Sequence, residues 1–177
     1  MYVFMVYVRD QNFFRLLPQK LRRLSSDPER FQVMAFPPLG IQTLAPVLRQ
    51  HGHRVRLFDT CHPQMQAEHI AQAAEVETPD VIALSCLSTT TYPAVKTLAR
   101  RLKSAAPHLP IIVGGAFATM NSDRILKDCP DLDCVGVGEG EELLPDYLHN
   151  LDDPGSVAGL VWRNAGEIVR NPSRPLI

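Results

Sequence analysis

The sequence lacks the cysteine patterns that would define a metal centre or a disulfide-bonded domain. Its four cysteines, in 177 residues, include no C-x2-C pair. Two of them, Cys86 and Cys134, lie in apolar runs of strand type, where a thiol usually serves as a small hydrophobic side chain. We therefore expect reduced, structural cysteines, no metal held by the chain's own side chains and an intracellular protein.

A strong excess of charge and a long terminal hydrophobic run are also missing. The net charge is -1, with 21% charged and 45% hydrophobic residues. This balance excludes a largely disordered chain and a polyanion-binding surface, so nucleic acid is not an expected partner. The N-terminal stretch MYVFMVYVRD has no basic region before its apolar run and reaches Arg9 too soon for a secretory signal or a membrane span. The sequence predicts a cytoplasmic protein with no membrane partner.

Two common phosphate-binding motifs are absent. No G-x-x-x-x-G-K-[ST] loop occurs, and no G-x-G-x-x-G turn follows the first apolar run. A loose glycine run at residues 136–140 comes late in the chain and is accompanied by the carboxylates Glu139 and Glu141, which disfavour phosphate. Nucleoside triphosphates and an ordinary NAD site are therefore not expected.

What the sequence does contain is a regular alternation of strand-length apolar runs with segments of helical period. This pattern predicts an α/β fold, a Rossmann-like parallel five-stranded sheet with helices on both faces. The predicted strands are Tyr2–Val8, Val55–Phe58, Val81–Leu84, Pro110–Val113 and Leu132–Val137. The predicted helices begin near Leu39, Gln64, Tyr92, Ser122 and just after Glu141, and the second and third end at Ala74 and Ala105.

The domain organisation follows from the same pattern. Residues 1–158 are expected to form the Rossmann-like domain, with a long polar and basic insertion at residues 9–38. Two short alternating runs around Asn164-Ala165-Gly166 predict a C-terminal β-hairpin. Residues 159–177, the hairpin and a proline-rich exit, are interpreted as a linker towards a further domain.

Small residues and hydroxyls follow the third and fourth predicted strands. In an open parallel sheet, ligands bind beyond the carboxyl ends of the strands. Ser85, Ser88 and Thr89 lie at one such end, and Gly114-Gly115 at the next. Glycine allows close approach to the backbone, and hydroxyls bind an uncharged polar ligand without filling its space. The competing structural interpretation is that the hydroxyls, above all Thr90-Thr91, cap the following helix.

These residues carry a resemblance. Ser85-Cys86-Leu87, followed after residues 88–113 by Gly114-Gly115, matches the S-x-L…GG part of the cobalamin-binding domain signature. The stretches FPPLGIQTLAPVLRQHGHRVRLFDT, GGAFATMN and VGEGEELLPDYL resemble the N-terminal domain of cobalamin-dependent radical S-adenosylmethionine enzymes. The resemblance implies that the nucleotide tail of cobalamin enters between the sheet and its helices. The implied contacts are Ser85, Leu87, Ser88, Thr89, Gly114, Gly115, Ala116, Glu139 and Gly140.

One part of the wider family pattern is missing. Methionine-synthase-like domains carry D-x-H-x-x-G, whose histidine becomes the lower ligand of cobalt. The family's spacing, counted back from Ser85, places Pro38, Gly40 and Thr43 at the aspartate, histidine and glycine positions. The resemblance therefore implies cobalamin bound base-off with no histidine below the metal. His62, the nearest substitute, follows the wrong strand.

The resemblance implies a cofactor-binding module of a radical S-adenosylmethionine methyltransferase, binding methylcobalamin or hydroxocobalamin. The cysteines do not form the C-x3-C-x2-C motif of a [4Fe-4S] cluster, so that cluster, S-adenosylmethionine and catalysis are assigned to an absent partner domain in a longer chain. No residue here is expected to be catalytic. Two alternatives remain: the same module in a ring-forming cyclase, and a receiver-like signalling module with Asp59 as the phosphorylated residue.

Overall fold

A computed structural model of the chain describes residues 1–9, 38–61 and 65–175. Most of the predicted insertion, and His62, lie outside these ranges. The described strands, in chain order, are β1 (Tyr2–Tyr7), β2 (Arg54–Asp59), β3 (Val81–Ser85), β4 (Ile111–Gly114), β5 (Cys134–Gly136), β6 (Leu160–Asn164) and β7 (Glu167–Arg170). They form one sheet in the order β2-β1-β3-β4-β5-β6-β7.

The sheet is parallel from β2 to β5, as the sequence predicts. The chain moves from β1 to β2 on one side and then returns to β3 on the other side of β1. Between β1 and β3 the order therefore reverses, which is the place where doubly wound sheets bind their ligands.

The helices cover both faces of the sheet. In chain order they are α1 (Leu39–Gln50), α2 (Ala67–Glu77), α3 (Tyr92–Ala105), α4 (Ala116–Met120), α5 (Ser122–Asp128) and α6 (Gly140–His149). Helices α1 and α3 begin where the sequence predicts. Helix α2 begins three residues after the predicted start, because Gln66 and His69 form a capping box at its N-terminus. None of the helices in the described ranges is long and apolar enough to cross a membrane.

Strand alternation divides the interior into two cores. Phe4, Val6, Ile82 and Leu84 belong to the core under α2 and α3. Their neighbours on the same strands, such as Met5, lie on the other face under α1 and α6. Because successive strand residues point to opposite faces, each side chain can be placed by its parity along the strand.

The C-terminal hairpin is part of the sheet. Strand β6 pairs antiparallel with β5, and β7 pairs with β6 through a two-residue turn at Ala165-Gly166. Both turn residues have positive φ, as a type I′ turn requires. The buried Asn171 side chain then donates to the carbonyls of Pro154 and Val157 and accepts from Trp162 Nε1. The predicted hairpin is confirmed, and it lengthens the predicted five-stranded sheet by two strands.

Candidate functional site

A cavity of about 450 Å³ opens at the carboxyl edge of the sheet, between the sheet and helices α1 and α6. Its size lies within the usual range for small-molecule pockets. The lining residues are mostly aliphatic side chains and glycines: Met5, Tyr7, Pro38, Leu39, Gly40, Ile41, Leu44, Ala83, Leu84, Ser85, Leu87, Ile112, Gly114, Gly115, Gly136, Gly138, Glu139, Gly140, Glu141, Leu143 and Leu144. Six of the nine contacts implied by the resemblance are among them.

Strand register arranges the sheet side of the cavity in two rows. Met5, Ala83 and Ile112 are paired neighbours across β1, β3 and β4 and form the deeper row. Two residues further along the strands, Tyr7, Ser85, Gly114 and Gly136 form the outer row on the same face. The floor is therefore wholly apolar, while polar side chains are confined to the outer row and the rim.

The two glycines of the pair have different roles. Gly115 has φ +103°, and a Cβ there would lie 2.8 Å from the carbonyl oxygen of Cys86. A glycine is thus required at that position by the backbone itself. Gly114 has an ordinary φ, and nothing lies within 4 Å of the position of its Cβ. The absence of a side chain at Gly114 leaves open space in the cavity. Because neither φ nor close packing requires glycine there, the fold alone does not explain why this residue is so small.

Ser85 connects the cavity to the end of β1. Its Oγ accepts a hydrogen bond from the buried N–H of Val8 at 3.0 Å. A hydroxyl that accepts in this way can still donate its own proton to a ligand. Leu87, two residues further along the chain, lies at the rim of the cavity and is 49% exposed. Contact with a ligand would remove its apolar surface from water, which is favourable. Both residues line the cavity, and their contact with a ligand stays a prediction.

The hydroxyl row after β3 is organised by Ser88. Its Oγ lies 2.9 Å from the hydroxyls of Thr90 and Thr91 and accepts from the Thr91 N–H. Thr91 is the N-cap of α3 but makes no side-chain capping bond, so the prediction that its hydroxyl caps the helix is wrong. The buried Thr91 hydroxyl is used by Ser88 instead. Ser88 and the exposed Thr89 and Ala116 lie outside the lining of the cavity, and their contact with a ligand stays a prediction.

The opposite rim is the turn before α6. Gly138 has φ +94°, and its N–H donates to Thr119 Oγ1 of α4 at 3.1 Å, which joins the two glycine-rich loops. Glu139 is the N-cap of α6, and Glu141 lies in its first turn. Carboxylates at this position complement the helix dipole, so the helix accounts for them without a ligand. Gly140 allows α6 to approach Leu44 of α1.

No histidine lines the cavity among the residues that the structure describes. Gly40, at the histidine position of the wider family, is exposed in the first turn of α1, with nothing within 4 Å of a Cβ built there. By contrast, His51 is the C-cap of α1 and His149 lies in the last turn of α6, and both contribute to a lowered pKa of His53. Burial and the N-terminal amine contribute more to that shift. This end of the helices is opposite the cavity.

The fold and the cavity define a doubly wound α/β domain with a mostly apolar cavity at the edge of the sheet where such domains bind their ligands. The B12 binding domain model matches residues 34–148 of the chain. This chain therefore belongs to the B12 binding domain family.

Relatives and solved structures agree with this assignment. The chain is 36% identical over 128 residues to hopanoid C-3 methylase of Methylococcus capsulatus, covering 68% of this chain and 23% of that protein. It is 29% identical over 145 residues to the anaerobic magnesium-protoporphyrin IX monomethyl ester cyclase of Synechocystis, covering 80% and 29%. It also superposes, with a TM-score of 0.73, on OxsB, a cobalamin-dependent S-adenosylmethionine radical enzyme solved with aqua-cobalamin bound, at 19% identity over 99% of this chain and 22% of that one. The chain thus spans less than a third of these relatives.

The cavity fits the nucleotide tail of cobalamin. Open space beside Gly114 leaves room for a planar base against the strand ends. Ser85 supplies a hydroxyl, and the exposed Leu39 and Leu87 at the rim offer apolar surface to a larger ring above. Tyr7 and Met5 also line this space, although sequence reasoning did not assign them. Their alternation with Val6 on β1 was the signal that could have identified them.

Proposed function

We propose that this chain is the cofactor-binding module of a cobalamin-dependent radical S-adenosylmethionine methyltransferase. In this proposal the dimethylbenzimidazole nucleotide tail lies in the cavity, and cobalamin is held base-off. The observation that carries the proposal is the space beside Gly114, which opens at the carboxyl edge of the sheet in a chain of the B12 binding domain family. When bound, cobalamin supplies a cobalt centre that can carry a methyl group.

The residues of the chain contribute binding and orientation. Ser85 donates its hydroxyl proton to the tail while accepting from Val8, so the tail is tied to the ends of β1 and β3. Leu39 and Leu87 would pack against the corrin ring and keep water from it. Gly40 has no side chain that could ligate cobalt, so position 40 would give the metal no nitrogen ligand.

The ring-forming alternative is supported by one observation, the 29% identity to the Synechocystis cyclase over 80% of this chain. Methyl transfer is preferred because the identity to hopanoid C-3 methylase is higher, at 36% over 68% of this chain. Expression of the longer chain with its partner domain, supplied with S-adenosylmethionine labelled in the methyl group, separates the two. Label in the product supports methyl transfer, and an unlabelled product carrying a new ring supports cyclisation.

Binding itself is tested on the chain as it stands. The purified protein is mixed with hydroxocobalamin, desalted, and its visible spectrum is recorded against protein concentration. We expect about one corrin per chain, because the proposal places a single nucleotide tail in this cavity. Absence of corrin absorbance in the protein fraction, from a chain folded by circular dichroism, would contradict the proposed function.

A further inference from the structure

We propose that the cavity selects corrinoids by the base of their nucleotide tail, accepting dimethylbenzimidazole and disfavouring purine bases such as adenine. This inference rests on the proposed function, because it assumes that the tail occupies the cavity. It goes further by stating which class of corrinoid the chain takes.

The floor of the cavity offers no hydrogen bond from a side chain. Met5, Ala83 and Ile112 form its sheet side. Aliphatic side chains of α1 and α6 close the opposite side: Ile41, Leu44, Leu143 and Leu144. The strand backbone at this depth is engaged in the parallel ladder between β1, β3 and β4. A group that reaches the floor therefore exchanges water for hydrocarbon.

Polar side chains of the described lining residues lie only in the outer row and at the rim. Ser85 and Tyr7 occupy the outer row, and Glu139 and Glu141 flank the mouth. Ser85 accepts the Val8 N–H, and its own hydroxyl proton can be donated to a ligand. None of these lining side chains is an amide or a cation, the groups that most often recognise the edge of a purine.

The two bases differ at the edge that would reach the floor. Dimethylbenzimidazole carries two methyl groups there, and burial of methyl groups against Met5 and Ile112 is favourable. Adenine carries an amino group and ring nitrogens that would lose hydrogen bonds to water without replacement. Leaving one such group unsatisfied weakens binding by about tenfold or more. The expected preference for dimethylbenzimidazole is therefore about tenfold at least.

A competition experiment measures this preference. The protein is mixed with equal, excess amounts of cobalamin and its adenine-containing analogue and then desalted, and the extracted corrinoids are quantified by chromatography. We expect about ten or more cobalamin molecules retained for each analogue. A ratio near one, or a preference for adenine, would overturn the selectivity while leaving the proposed function intact. Retention of neither corrinoid would overturn both.

A matched pair of substitutions locates the selecting surface. Ala83→Ser places a hydroxyl in the deeper row, where it can partner a purine nitrogen, so we expect the retention ratio to fall about threefold or more. Ala105→Ser makes the same change at the far end of α3, outside the cavity, and should leave the ratio unchanged. An unchanged ratio in Ala83→Ser, with cobalamin still retained, would place the base away from this floor and overturn the inference.

Discussion

Replacement of Gly114 by valine separates cofactor binding from folding. The backbone of Gly114 has an ordinary φ, and no atom lies within 4 Å of the added Cβ. Glycine within a strand is less stable than alanine by roughly 0.5–1 kcal/mol, and valine suits a strand. We therefore expect an unchanged or higher melting temperature for the free protein, with a rise of up to about 4 °C, since 1 kcal/mol corresponds to about 2–4 °C at this size.

The same side chain would occupy space that the tail needs. Overpacking of a well-fitted site costs about 1–3 kcal/mol, which corresponds to a loss of affinity of roughly 5- to 150-fold. Titration with hydroxocobalamin, followed by visible absorbance, measures it, and Gly114→Ala should give a smaller loss. Gly155→Ala serves as the control, because Gly155 has an ordinary φ, contacts only at 3.5 Å and beyond, and no place in the cavity. Wild-type affinity in Gly114→Val would refute the placement of the tail.

Three further predictions concern Ser85, Gly40 and Cys86. Ser85→Ala leaves the buried Val8 N–H without its acceptor, which costs about 1–3 kcal/mol of stability. Thermal unfolding should therefore show a lower melting temperature for Ser85→Ala, and Ser85→Thr should restore it. Equal stability of the wild type and both variants would contradict this role of Ser85. Gly40→His should give bound cobalamin a nitrogen ligand at pH 8 but not at pH 5, because only neutral imidazole ligates a metal. Gly40→Ala is the control. Identical visible spectra of the two cobalamin-loaded variants at pH 8 would show that position 40 does not face the metal. Burial raises the pKa of the Cys86 thiol to about 12, so the thiol is protonated at pH 8. It should therefore resist alkylation by iodoacetamide until the protein is unfolded. Rapid labelling of Cys86 in the native protein, detected by mass spectrometry, would contradict this.

The parallel part of the fold was predictable because its signals are local. Helix α3 begins at Tyr92 and ends at Ala105, as its apolar period predicts. The hairpin turn was recognisable from Asn164-Ala165-Gly166, but its pairing with β5 was not, because strand pairing between distant segments has no local sequence signature. Helix α4 was missed because five residues are too few to show a helical period.

The site was predictable in outline, but the roles within it were not. The S-x-L…GG spacing placed Ser85 and Gly114 on neighbouring strands, where the structure has them paired. The spacing could not reveal that Gly115 is required by its backbone conformation, whereas Gly114 leaves open space in the cavity. That difference depends on the φ angle of Gly115 and on the nearby Cys86 carbonyl. The hydroxyl row was also ambiguous, because Ser88 and Thr91 are equally suited to capping by residue type. Only the hydrogen bond from the Thr91 N–H to Ser88 Oγ identifies Ser88 as the acceptor.

The central claim is that cobalamin binds here through its tail, with no nitrogen ligand below cobalt. Electron paramagnetic resonance of the protein loaded with Co(II) cobalamin tests it most directly, because an axial nitrogen splits each cobalt hyperfine line into three. We expect a protein-bound signal without that threefold splitting in the wild type, and the same signal in His62→Ala. Threefold splitting in the wild-type protein would show that a histidine or the cofactor's own base ligates the metal, and would contradict the account.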